Sequence, residues 1–92
     1  MGRETILFKS EEKKTAAEIA QTLRLVADKI ESGTITLNQG GESLELALPS
    51  TMTFEIKAEE EQGRSKTKRS LEFELEWGVG DEDKPAGGAT IS

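Results

Sequence analysis

Three carboxylates near the carboxyl end, Glu72, Glu74 and Glu76, alternate with Leu71, Phe73, Leu75 and Trp77. On a strand that spacing puts the acids on one side and the apolar groups on the other. A carboxylate row can hold a cation or supply an acid/base pair. Neighbours at i and i+2 stand about 7 Å apart along a strand. One ion therefore needs cross-strand help, which Glu55 or Glu59 could give. Lys57 lies between those two, and Lys57, Lys66 and Lys68 are partners of opposite charge. A solvated, salt-bridged face is the simpler account of the row. The basic cluster of Arg64, Lys66, Lys68 and Arg69 could take an anion. It lacks interleaved aromatics and a glycine-rich helix entrance, so it reads as a charged strand entrance that discourages edge pairing. Trp77 could stack on a ligand or anchor a partner. Its phase with Leu71, Phe73 and Leu75 makes it a core plug instead.

Other chemistry is excluded by composition. The chain of 92 residues has no Cys, no His and no Tyr. That removes disulfides, thiolate and imidazole catalysis, and Cys- or His-ligated metals. No spacing assembles a nucleophile, a base and oxyanion donors, so no catalytic residue, metal ligand or cofactor-binding residue is named, and no cofactor is expected. Gly40-Gly41 lies in neither a GxxxxGK[ST] nor a GxGxxG context and is a turn. With 12 Lys and Arg against 18 Asp and Glu, the net charge is -6. An acidic balance opposes binding to nucleic acid and to anionic membranes. The early apolar run is only Ile6-Leu7-Phe8. It is shorter than a signal-peptide core or a membrane span. A cytoplasmic protein is expected.

Those residues must be positioned by one helix and several strands. Thr15 followed by Glu18 forms a capping-box pattern. Ala16, Ile19, Ala20, Leu23, Val26, Ala27 and Ile30 then recur at steps that make one stripe. Gly33 supplies the left-handed stop. A helix over roughly 15–32 follows, with Leu25 on the side away from the stripe. Ile35 and Leu37, then Leu44, Leu46 and Leu48, alternate with polar neighbours across Asn38-Gln-Gly-Gly41, a hairpin pattern. Pro49 ends the second of these strands. Met52, Phe54, Ile56 and Ala58 alternate in a third, and Leu71 to Trp77 make a fourth. A further strand over about Glu4 to Lys9 precedes the helix.

The expected fold is α+β and two-layered. An antiparallel sheet of four or five strands, in order β-α-β-β-β-β, carries one helix on its apolar face. Trp77, Phe73, Phe54 and Leu23 mark its core. Residues 1–77 form the domain. Residues 78–92, rich in Gly and charge, are expected to be a disordered tail.

The helix ending Ala27-Asp28-Lys29-Ile30-Glu31-Ser32-Gly33, the Gly-Gly hairpin and the closing Leu71-Glu-Phe-Glu-Leu-Glu-Trp77 occur here in one order. In these features the chain resembles the amphi-Trp domain family, named for an amphipathic final strand ending in Trp. The resemblance spans about Glu4 to Trp77. It implies a compact single domain with no established activity and hands over no catalytic residue.

Function is then approached from what the fold leaves uncovered. A domain of this size buries only about 60% of its unfolded surface. One helix cannot readily cover four or five strands. The expectation is a small non-enzymatic interaction module that associates with itself as a homodimer or with a protein partner. An open edge strand or Leu25 would make the contact. The alternative is a small-molecule or cation-binding domain using the acidic face of Glu72, Glu74 and Glu76.

Overall fold

The computed structural model describes residues 2–79. Helix α1 (Ala16–Ser32) is followed by strands β1 (Thr34–Gln39), β2 (Glu42–Ala47), β3 (Thr53–Gln62) and β4 (Thr67–Glu76). The architecture is α+β with antiparallel pairing throughout. The strands form two separate two-stranded sheets, β1-β2 and β3-β4, and not one continuous sheet. Among the described residues no strand precedes the helix: residues 4–9 have no ladder, and Ile6 and Leu7 are 74% and 67% exposed. The expected tail begins with Gly78 and Val79, which lie outside any strand. Its residues 80–92 lie outside the described residues. No helix among the described residues is long and apolar enough to cross a membrane.

The chain divides into two compact units, with the boundary in sequence between Ser50 and Thr51. In the first, α1 begins where its sequence says it should. The Thr15 N–H donates to Glu18 Oε1 (2.9 Å), and the Glu18 N–H donates to Thr15 Oγ1 (3.1 Å). This reciprocal box satisfies two donors that the first turn leaves without helical partners. The helix stops at Gly33, whose φ of 90° is left-handed. Its N–H reaches the carbonyls of Lys29 (3.0 Å) and Ile30 (3.2 Å). The Gly33 carbonyl then accepts from Leu48 N–H (2.8 Å), tying the chain just past β2 to the helix end. β1 and β2 pair from Thr34↔Ala47 to Gln39↔Glu42 across Gly40-Gly41. α1 packs on β1. Val26, Ile30, Ile35, Leu37, Leu44, Leu46 and Leu48 are half-buried there, while Ile19 and Leu23 on the same helix stripe stay 46% and 49% exposed.

The second unit is a long hairpin. β3 and β4 have ten residues each and pair without a bulge from Thr53↔Glu76 to Gln62↔Thr67. Gly63 N–H donates to the Lys66 carbonyl (2.8 Å), leaving Arg64 and Ser65 at the tip. A Cβ on Gly63 would stand 3.0 Å from that carbonyl oxygen, so a side chain there crowds the turn. Neither unit encloses a side chain: no described residue is fully buried.

Candidate functional site

The β3–β4 hairpin carries most of the residues singled out by chemistry. Its register sorts them onto two faces, because cross-strand partners share a side and alternate residues do not. One face holds Phe54, Ile56 and Ala58 of β3 against Leu75, Phe73 and Leu71 of β4. The other holds Glu55, Lys57, Glu59 and Glu61 against Glu74, Glu72, Ser70 and Lys68.

The apolar face is open. Phe54 is 58% exposed, Ile56 60%, Leu71 63% and Phe73 50%. Leu75 and Trp77 are half-buried. Phe54 and Phe73, diagonal neighbours in the ladder, stack with ring centroids 6.0 Å apart and planes within 7°. Of the expected core markers, then, Trp77 reaches partial burial, and Phe73, Phe54 and Leu23 remain about half exposed. Toward the tip this face ends in charge. Arg69 Nε donates to Glu60 Oε1 at 2.7 Å, across the register pair Glu60↔Arg69. The basic cluster is therefore split: Arg69 lies on the apolar face, while Arg64, Lys66 and Lys68 line a shallow hollow of about 300 Å³ at the turn.

On the acidic face, Lys57 Nζ stands 3.8 Å from both Glu59 Oε2 and Glu72 Oε1. These exposed pairs are weak. Glu76 faces Thr53. Glu74 faces Glu55, a like-charge pair in direct opposition. The Glu74 carboxyl is held above the ordinary carboxylate range, chiefly by a hydrogen bond shared with Glu55 and then by the charge of Glu55 itself. Two carboxyl groups can share such a bond only if one of them keeps its proton. Slight desolvation and Glu76 push the same way, and Lys57 opposes them. Among the described residues no three acids come together as a set that could hold a metal ion. The Glu72, Glu74 and Glu76 row is thus one side of a ladder in which Glu72 has Lys57 beside it and Glu74 faces a like charge.

Leu25 belongs to the first unit and is 56% exposed. It lines a groove of about 240 Å³ with Phe8, Val26, Ile35 and Leu37, between the segment before the helix, α1 and β1. That volume is below the range of drug-sized ligand pockets, about 300–1,000 Å³. Sequence reasoning missed this groove. The signal available was the pair of apolar residues outside any stripe, Phe8 and Leu25.

With this geometry in view, the comparison with known proteins gives a family. The sequence description of the Amphi-Trp domain matches residues 1–92, and the chain belongs to the Amphi-Trp domain family. No curated protein and no solved structure matches it.

Proposed function

We propose that this member of the Amphi-Trp domain family is a small non-enzymatic interaction module that associates with itself through the β3–β4 hairpin. The observation that carries this reading is the set of four large apolar side chains, Phe54, Ile56, Leu71 and Phe73, each at least half exposed on one side of a two-stranded sheet. A contiguous apolar patch of that kind on a soluble protein is normally a contact surface. A lone two-stranded hairpin is marginal in water, and a third strand or a covering layer is what makes such a sheet stable. The net charge of -6 keeps the protein soluble and disfavours nucleic acid as the partner.

Light scattering behind gel filtration, across a hundredfold range of concentration, tests the reading. The expected result is a mass that rises toward a dimer with concentration. Phe73→Ser, which removes the central ring of the patch, is expected to shift the mass back toward the monomer. A monomer at every concentration would sink the self-association.

A further inference from the structure

The two long strands of the hairpin carry different charge patterns. β3 holds Glu55, Glu59, Glu60 and Glu61 against a single Lys57. Two copies of its edge would bring mostly acids together. β4 is polar along its length: Lys68 and Arg69 lie in its amino half, with Lys66 just before it, and Glu72, Glu74 and Glu76 lie in its carboxyl half. A strand that is basic at one end and acidic at the other complements a second copy of itself running the opposite way.

The ladder also fixes which backbone groups β4 can offer. Gly63 N–H bonds to the Lys66 carbonyl, so 63 and 66 form a hydrogen-bonded pair. In an antiparallel ladder such pairs alternate with non-hydrogen-bonded ones. With no bulge between them, the even-numbered residues of β4 turn their N–H and C=O toward β3. The odd-numbered ones, Thr67, Arg69, Leu71, Phe73 and Leu75, turn theirs outward. Among the described residues β4 has one ladder partner, β3.

We propose that two copies of this chain pair antiparallel along the outer edge of β4, about a two-fold axis at Leu71, to make the four-stranded sheet β3-β4-β4-β3. The proposal rests on the self-association reading above and adds the edge and the register. About this axis Leu71 opposes Leu71, Arg69 opposes Phe73 and Thr67 opposes Leu75, and every outward N–H and C=O from Thr67 to Leu75 has a partner. Lys68 of one copy opposes Glu74 of the other, Lys66 opposes Glu76, and Ser70 opposes Glu72. These charged pairs fall at non-hydrogen-bonded positions, where facing side chains approach most closely. Glu74 gains a cation on the side away from Glu55, whose opposition Lys57, shared with Glu59 and Glu72, offsets only in part. The apolar faces of the two hairpins join at Leu71 across the seam, where each Arg69 on that face lies opposite Phe73 of the other copy.

Neighbouring registers are worse. Moving the axis one residue toward the carboxyl end sets Glu72 against Glu72. Moving it one residue the other way shortens the ladder and puts Leu75 opposite the turn residue Ser65.

The test is charge exchange in the full chain. Lys68→Glu and Glu74→Lys are each expected to raise the dimer dissociation constant about tenfold, because symmetry turns two attractive cross-strand pairs into repulsive ones. An equimolar mixture of the two variants is expected to recover wild-type association as a heterodimer, since each then meets the opposite charge at both positions. This recovery also shows that both variants fold. A wild-type dimer indifferent to either variant, or a mixture that does not recover, overturns the β4 register while leaving the hairpin as the contact surface if Phe73→Ser still dissociates it. A wild-type monomer at every concentration overturns both.

Discussion

Residues 2–50 bring three elements to their apolar stripes, whereas residues 51–79 bring only two. In the first, α1 lies on β1, and Val26, Ile30, Ile35 and Leu37 are half-buried among their own neighbours. Its ends are closed by local hydrogen bonds at Thr15 and Gly33. In the second, both strands are longer and their alternation is cleaner, yet their apolar row stays open. Alternation therefore says which side of a strand is apolar, and nothing about what covers it. A good binary pattern with no third element inside its own unit is the mark of a surface that another group of atoms must complete.

The contrast breaks most sharply at the first unit's glycine stop. Gly33→Val forces a β-branched residue into a left-handed backbone, at a cost of about 2 kcal/mol. Thermal melting and faster amide exchange in the last turn of α1 would show it. If melting is unchanged, the helix end does not depend on that conformation. In the second unit the comparable test is a double-mutant cycle on Phe54→Ala and Phe73→Ala. The stacked rings are expected to couple by about 1 kcal/mol beyond their separate losses. Strictly additive losses would mean that the stacking contributes nothing. Thr15→Ala removes half of the capping box and is expected to cost about 1 kcal/mol, read in amide exchange of the first turn.

The smallest effects are those of pH, and they carry opposite signs in the two units. Hydrogen bonds from Thr15 hold Glu18 below the ordinary carboxylate range. Its contribution is present above the unfolded-chain value and is lost as pH falls through the lowered folded one. Glu74 is raised by Glu55, so the folded hairpin takes up its proton more readily than the unfolded chain does. Stability on its account rises as pH falls from neutral through the raised folded value, and levels off below the unfolded one. In dilute protein, where the chain is monomeric and Glu74 has no Lys68 from a second copy, Glu74→Gln is expected to raise the melting temperature slightly at pH 7 and to remove that dependence. Both groups are exposed, so salt should flatten both trends. An unchanged melting temperature for Glu74→Gln at neutral pH and low salt would remove the opposition to Glu55 as a weakness of the ladder.

What could be read in the residues was what is local. The Thr15–Glu18 box and the Gly33 stop need only neighbours within a turn, and both helix ends stand where they were expected. The two faces of β4 were legible from period two. Its first four residues were not, because Thr67, Lys68, Arg69 and Ser70 carry no apolar alternation and pair only by virtue of the turn. The strand expected over residues 4–9 is absent: Ile6, Leu7 and Phe8 are consecutive, and only Phe8 finds cover. The division into two sheets was not legible either, since strand neighbours are chosen by backbone edges that no side-chain pattern records. For the candidate site, the acidic row was visible. The meeting of Glu55 with Glu74 was not, because it depends on the number of residues between Gly63 and Lys66.

That two-residue tip acts as the phase reference for everything downstream of it. One extra residue placed after Ser65, if the old contacts of β3 were kept, would bring Glu74 and Glu72 round to the greasy side and send Phe73 and Leu71 to the wet one. Length at this bend therefore bears on the register in a way that the chemistry of Arg64 and Ser65 does not: an added residue leaves the two faces as they are only where a longer loop absorbs it and the pairing of Gly63 with Lys66 is kept.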